Sequence, residues 1–159
     1  TCSSVPAKGT TFEVYLPKVV TPQDEGASAA ESTMPGGNER ILFVDDEPVL
    51  ADLAARMLSA KGYSVVSKSS STGALELFRS DPHGFDLVIT DLNMPDLGGV
   101  ELTEAIRQAS PDTTVVWITA YGCHRFSTDA ARLEIHRCYD KPLEVDEILE
   151  VAREALEAV

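Results

Sequence analysis

From residue 41 onward, two patterns of apolar and polar positions take turns along the chain. Short runs rich in β-branched residues, "ILFV" (41–44), "YSVVSK" (63–68), "FDLVIT" (85–90) and "TTVVWIT" (113–119), have the length and content of strands. A fifth, "HRCYD" (136–140), is short and poorly apolar. Between them the period lengthens. Leu50, Leu53, Ala54, Met57 and Leu58 recur at helical spacing and Gly62 closes that helix. "TGALELFRS" (72–80) reads as a second helix with Thr72 as its candidate cap, and "GGVELTEAIRQAS" (98–110) as a third. Residues 124–134 form a weaker fourth, and Val145, Ile148, Leu149, Ala152 and Leu156 share one face of a fifth. Strands alternating with helices predict a parallel sheet covered on both faces and joined by right-handed crossovers. No internal repeat is visible.

Upstream the pattern changes twice. Residues 18–38, "KVVTPQDEGASAAESTMPGGN", carry Pro, Gly, Ser, Ala and acids without apolar periodicity, the composition of a linker. Before it, "TTFEVYLP" alternates, with Phe12, Val14 and Leu16 on one side and Thr11, Glu13 and Tyr15 on the other. This predicts a single strand over 11–16 without a partner nearby, belonging to another domain or pairing with another chain. The chain therefore divides into 1–17, a linker over 18–38, and an α/β domain over 39–159.

Composition narrows the function. The 159 residues are 43% hydrophobic, enough for one sizeable core. A formal net charge of -13 argues against binding nucleic acid through its phosphates, and against an anionic membrane surface. No run approaches the ~18 apolar residues of a spanning helix. There is no signal-peptide pattern and the first residue is not Met, so the chain reads as part of something longer. Cys2, Cys123 and Cys138 are scattered, without zinc-type spacing, and are expected as free thiols in a reducing cytoplasm. His83, His124 and His136 sit apart and read as surface or structural residues.

The chemistry gathers at strand ends. Asp45 and Asp46 follow the first strand, Asp91 the third, Thr119 closes the fourth and Lys141 follows the fifth. In an open parallel sheet these positions share one edge, where ligands bind. A capping role explains any one acid, but not four loops together. Adjacent carboxylates at the mouth of a buried strand need a positive partner. Three carboxylates suit a hard cation such as Mg²⁺, and a neighbouring ammonium suits a phosphoryl group. A carboxylate can itself be the nucleophile, giving an aspartyl-phosphate.

With "VDDE" after the first strand, "DLNMPDLGG" after the third, "TAYG" after the fourth and "KP" after the fifth, residues 39–159 resemble the response-regulator receiver domains of two-component signalling. The resemblance implies a flavodoxin-like, doubly wound, five-stranded parallel sheet of order 2-1-3-4-5, here with an N-terminal extension. It implies Asp91 as phosphoacceptor and a Mg²⁺ (or Mn²⁺) site made by Asp45, Asp46, Asp91 and the Asn93 backbone carbonyl. Thr119 would reach the phosphoryl group, Lys141 would pair with it, and the bond before Pro142 would be cis. Pro95, Gly98 and Gly99 would shape the loop after Asp91. The implied donor is a histidine kinase or histidine phosphotransfer domain, in the cytoplasm. "PAKGTTFEVYLP" (6–17) looks like the end of a histidine-kinase ATP-binding domain. The parent would then be a hybrid kinase, membrane-anchored or not, with its kinase core as a partner in cis.

Two other readings compete: a Mg²⁺-dependent phosphatase-like enzyme and a pseudo-receiver that only binds. The first wants an acid two residues after the nucleophile, where this chain has Asn93. The second wants an emptied site, whereas all five key positions are filled. One departure from the family stands in the switch region. Receivers commonly carry an aromatic three places before the KP lysine; here that place is Cys138, with Tyr139 one later. One place on a strand reverses the side, so Tyr139 is expected to face away from the usual switch ring.

Overall fold

The computed structural model describes residues 2–5, 9–12 and 37–157. The chain forms two compact units, Thr1–Ser32 and Thr33–Val159.

In the first unit, β1 (Cys2–Val5) and β2 (Gly9–Phe12) make an antiparallel hairpin, Cys2 opposite Phe12 and Val5 opposite Gly9. This corrects two expectations. The strand expected over 11–16 starts earlier, and its partner lies in the same chain. The Ser-rich β1 gives little apolar alternation to read, so its pairing was invisible in the pattern. Gly9 takes φ +103, a conformation open to glycine. Residues 13–16 of that strand and residues 18–36 of the expected 18–38 linker lie outside the described residues.

The second unit begins with β3 (Arg40–Val44), α1 (Pro48–Ala60), β4 (Ser64–Lys68) and α2 (Ser71–Ser80). Next come β5 (Leu87–Asp91), α3 (Gly99–Ala109) and β6 (Thr114–Thr119). A 3-10 turn (Cys123–Phe126), α4 (Ser127–Arg132), β7 (Arg137–Asp140) and α5 (Val145–Glu157) complete it. The five strands pair in parallel in the order β4-β3-β5-β6-β7, which is 2-1-3-4-5 within the unit. Central β5 is buried along its whole length, its apolar Leu87–Ile89 followed by the buried polar pair Thr90 and Asp91. Alternate residues of the strands feed two separate cores. On one face Ile41, Phe43, Ile89 and Ile118 meet α1 and α5 through Leu58, Val151 and Ala152. On the other, Leu42, Val44, Val88 and Trp117 meet α2 and α3 through Phe78, Leu102 and Ile106.

Local details depart from the sequence expectation at two points. The cap of α2 is Ser70, not Thr72: Ser70 has extended backbone (φ -141, ψ 127) and its hydroxyl accepts from Gly73 N at 3.2 Å. Thr72 instead exchanges a hydrogen bond with that same hydroxyl, at 2.7 Å. The second correction concerns the thiols. Cys123 and Cys138 form a disulfide, with Cα atoms 5.7 Å apart. Their separation of 15 residues spans a whole helix. Only the return of β7 alongside β6 brings them together, which no spacing rule reveals.

At the end of the sheet where β6 and β7 begin, Arg107 of α3 donates to four backbone carbonyls. Nε reaches Leu133 O (2.8 Å), Nη2 reaches Glu134 O (2.9 Å), and Nη1 reaches Pro111 O (2.7 Å) and Thr113 O (2.5 Å). One side chain thus joins α3, the loop entering β6 and the end of α4. The buried Trp117 indole donates to Thr103 Oγ1 at 2.8 Å, whose own hydroxyl donates to Gly99 O at 2.7 Å.

Gly99 is where α3 presses closest on the strand carrying Asp91. A Cβ there would lie 2.3 Å from Asp91 O and 2.8 Å from Leu92 Cα, both backbone atoms that cannot swing away. Gly99→Ala is expected to destabilise the unit by roughly 1–3 kcal/mol, the range for overpacking. Urea unfolding followed through Trp117 fluorescence checks it, and a shift within error of zero would show that α3 has room to move.

Candidate functional site

Four strands end at one edge, and each delivers a polar group there. Beyond β3, Asp45 continues the ladder with its N–H on Lys68 O at 3.1 Å. Its carboxylate turns back to accept from Glu47 N at 3.0 Å and is 2% exposed. Asp91 is the last residue of β5 and is 5% exposed; its Oδ1 accepts from Asn93 N at 2.9 Å. Thr119 closes β6, fully buried. Lys141 follows β7, its N–H on Thr119 O at 2.7 Å, and the Lys141–Pro142 bond is cis. Asp46 is exposed.

The carboxylates of Asp45, Asp46 and Asp91 each offer an oxygen within 4.8 Å of the others. Lys141 Nζ lies between two of them, 2.7 Å from Asp45 Oδ2 and 2.5 Å from Asp91 Oδ2. The positive partner that the sequence demanded is therefore, in this structure, the lysine itself. Burial pushes the Lys141 ammonium pKa down, but hydrogen bonds and charge from Asp45 and Asp91 outweigh it and hold it above the ordinary lysine value. Three acids against one ammonium leave two negative charges, held by hard oxygen donors that fit a small divalent cation.

Asn93 does more than its place in the sequence suggested. Its side-chain amide donates to Thr119 Oγ1 at 3.1 Å, linking the loop after β5 to the end of β6. Thr119 Oγ1 also accepts from Tyr121 N at 3.1 Å, so the hydroxyl is held from both sides. An amide hydrogen bond from a loop to a strand end leaves no periodic trace to read. On β7, Cys138 packs into the core beneath α2, α3 and α4, while Tyr139 packs against the α1 and α5 core. The Tyr139 hydroxyl donates to Glu154 Oε2 at 3.2 Å. The reversal expected from the one-place shift is thus what the strand shows.

The chain is similar to known proteins along most of its length. Residues 41–153 match the family model described as response regulator receiver domain. "Sensor kinase CckA" of Brucella abortus is 27% identical over 98% of this chain, and the match takes up 17% of that protein. "Virulence sensor protein BvgS" of Bordetella pertussis is 34% identical over 82% of this chain and 11% of its own length. The chain thus spans a small part of these relatives. Among solved structures, a response regulator receiver domain protein (CheY-like) from Methanospirillum hungatei superposes with a TM-score of 0.71 at 25% identity. It covers 77% of this chain and 96% of that one. A receiver domain protein from Clostridium thermocellum gives 0.69 at 27% identity, covering 76% and 95%.

The Lys141 ion pairs carry a pH signature. A folded pKa above the unfolded one contributes stability below the unfolded lysine value of about 10.4, and that contribution disappears as pH rises through the folded value. Lys141→Met leaves two buried carboxylates without their donor and is expected to cost roughly 1.5–3 kcal/mol near pH 8, the range for hydrogen bonds to charged groups. Above pH ~10.4 the unaltered protein loses that advantage and the gap narrows. Urea unfolding of both proteins from pH 8 to 11 measures it; a constant gap would mean that the ammonium is not the stabilising element.

Proposed function

The chain belongs to the response regulator receiver domain family of two-component signalling, and on that footing we propose that Asp91 accepts a phosphoryl group from a phosphohistidine. An Asp91 carboxylate oxygen attacks phosphorus, the P–N bond breaks, and the imidazole leaves with the bonding pair and takes up a proton. The product is an aspartyl-phosphate. The observation that carries this reading is the convergence of Asp45, Asp91, Thr119 and Lys141, all largely buried, on the carboxyl edge of the sheet.

Each group has a part. The Asn93 N–H steadies Asp91 Oδ1, which points the carboxylate. Lys141 already touches Asp91 Oδ2, so a small displacement puts its ammonium on the new phosphoryl oxygens. The Thr119 hydroxyl, now held by Asn93 and Tyr121, turns to donate to the same group. Asp45, Asp46, Asp91 and the Asn93 carbonyl would hold Mg²⁺ or Mn²⁺, which supplies charge neutralisation for phosphoryl transfer. The donor is a histidine kinase or histidine phosphotransfer domain. Val49 and Leu53 of α1, which begins two residues after Asp46, stand exposed and offer it an apolar foothold. The resemblance to CckA along almost all of this chain supports a hybrid kinase as parent. Its kinase core would then be a partner in cis, and the receiver cytoplasmic. A phosphatase-like reading is less favoured, because Asn93 cannot serve as general acid. The convergence of all five groups weighs against a pseudo-receiver.

Two measurements test this. Acetyl phosphate with Mg²⁺ should label the protein through a hydroxylamine-sensitive bond, and Asp91→Asn should abolish it, since an amide is a poor nucleophile; labelling of the variant at the unaltered rate would give the acceptor role to another residue. Mg²⁺ at 100 times its Kd should stabilise the fold by about 2.7 kcal/mol. Thermal melts with Mg²⁺ or chelator, at constant ionic strength, read this. The exposed Asp46→Ala should remove the difference, and equal melting temperatures for the unaltered protein would count against the cation site.

A further inference from the structure

The function just proposed makes no use of the disulfide, yet the disulfide is tied to the same loop as Thr119. Cys123 opens the 3-10 turn four residues after Thr119, and Cys138 lies three residues before Lys141. Cys138 is the parallel neighbour of Trp117, and Asp140 that of Thr119. The Cys123 N–H also donates to Asp140 Oδ1 at 2.7 Å. Both cysteines are half-buried and neither is fully enclosed. The segment between them, the 3-10 turn and the six-residue α4, is anchored at its far end by Arg107 on Leu133 O and Glu134 O. Its near end is held by the disulfide and the Asp140 bond.

We propose that Cys123 and Cys138 are a redox-reactive pair. Exchange with a dithiol opens and closes a clasp between the loop after Thr119 and β7. The inference that this clasp regulates Asp91 rests on the phosphoacceptor reading above. A thiolate of the dithiol attacks one sulfur and breaks the Cys123–Cys138 bond, giving a mixed disulfide. Its second thiol then displaces the remaining cysteine. Two electrons and two protons pass to the pair, which becomes two thiols, and the dithiol becomes a disulfide. Closing runs the same steps backward with a disulfide oxidant. In a reducing compartment such a bond is usually transient and redox-sensing rather than structural.

The link to Asp91 runs through Tyr121. Its N–H holds Thr119 Oγ1 in the present arrangement, and it sits two residues before Cys123. While the clasp is closed, the turn from Thr119 to Cys123 is fixed at both ends. Opening it frees the hydroxyl to turn toward a phosphoryl group. The reduced form is therefore the faster phosphoacceptor.

The experiment uses the full chain with Cys2→Ser, so that one pair remains. Protein treated with oxidised glutathione, or with dithiothreitol that is then removed, is alkylated and weighed. The expected result is no alkylation in the first sample and two additions in the second. Two additions in both would overturn the pair. Amide exchange is then followed in both states. Protection over 119–126 should fall on reduction while β3 and β5 stay unchanged, and Cys123→Ser should behave as the reduced form without reductant. Equal protection in the two states overturns the clasp, whatever Asp91 does. Acetyl phosphate labelling should be several-fold faster in the reduced form. Equal rates overturn the regulatory link. No label in either state overturns the phosphoacceptor reading and the link with it, leaving the clasp to be judged on exchange alone.

Discussion

Two buried carboxylates within reach of one ammonium is the constraint from which the rest of this unit is arranged. Asp45 follows β3 and Asp91 ends the adjacent β5, and both carboxylates are buried, which is costly for a polar group without hydrogen-bonding partners. Lys141 comes from the loop after the edge strand β7, so it must cross above β6 to reach them. That reach explains features that otherwise look unrelated. β7 is short and only half-buried, yet it is held in register by the Lys141 N–H on Thr119 O and by the Cys123 N–H on Asp140. The bond from the lysine to Pro142 is cis. Gly99 lets α3 close over the Asp91 backbone from the other side.

Much of this was legible in the chain because it rests on short-range rules. Buried strands need apolar runs, and helices need a face, so "ILFV" and "FDLVIT" pointed to β3 and β5 almost to the residue. The polar groups that follow four of the five strands were legible for the same reason: in a parallel sheet all strand ends meet at one edge. What escaped depends on atoms brought together from far apart. The Cys123–Cys138 bond needs β7 beside β6. The Asn93–Thr119 bond needs the loop after β5 beside the end of β6. The choice of Ser70 over Thr72 as cap depends on where the backbone leaves extended geometry, which composition leaves open by a residue or two. The hairpin β1–β2 was missed because serines carry no apolar alternation.

The two sides of β7 divide different tasks. Tyr139 points to the α5 side and bonds Glu154, which also pairs with Arg137 at 2.9 Å. Cys138 points to the side of Trp117 and Phe126, whose rings meet edge-on. Cys138 and Phe126 pack against the same buried cluster as Trp117. The sulfur bridge occupies less volume and joins the same two segments covalently, so the interior on that side is filled without an aromatic at the strand.

Arg107 shows what the opposite edge of the sheet contributes. Every hydrogen-bond acceptor it uses is an uncharged backbone carbonyl. Such bonds are weakened little by added salt and do not depend on the protonation of a partner. The acidic edge differs: there the Lys141 ammonium bonds the carboxylates of Asp45 and Asp91, contacts between charged groups. The sheet thus has a chemically indifferent floor and a chemically sensitive rim. Arg107 gives the loops at the floor a footing that does not rest on the charge of any partner.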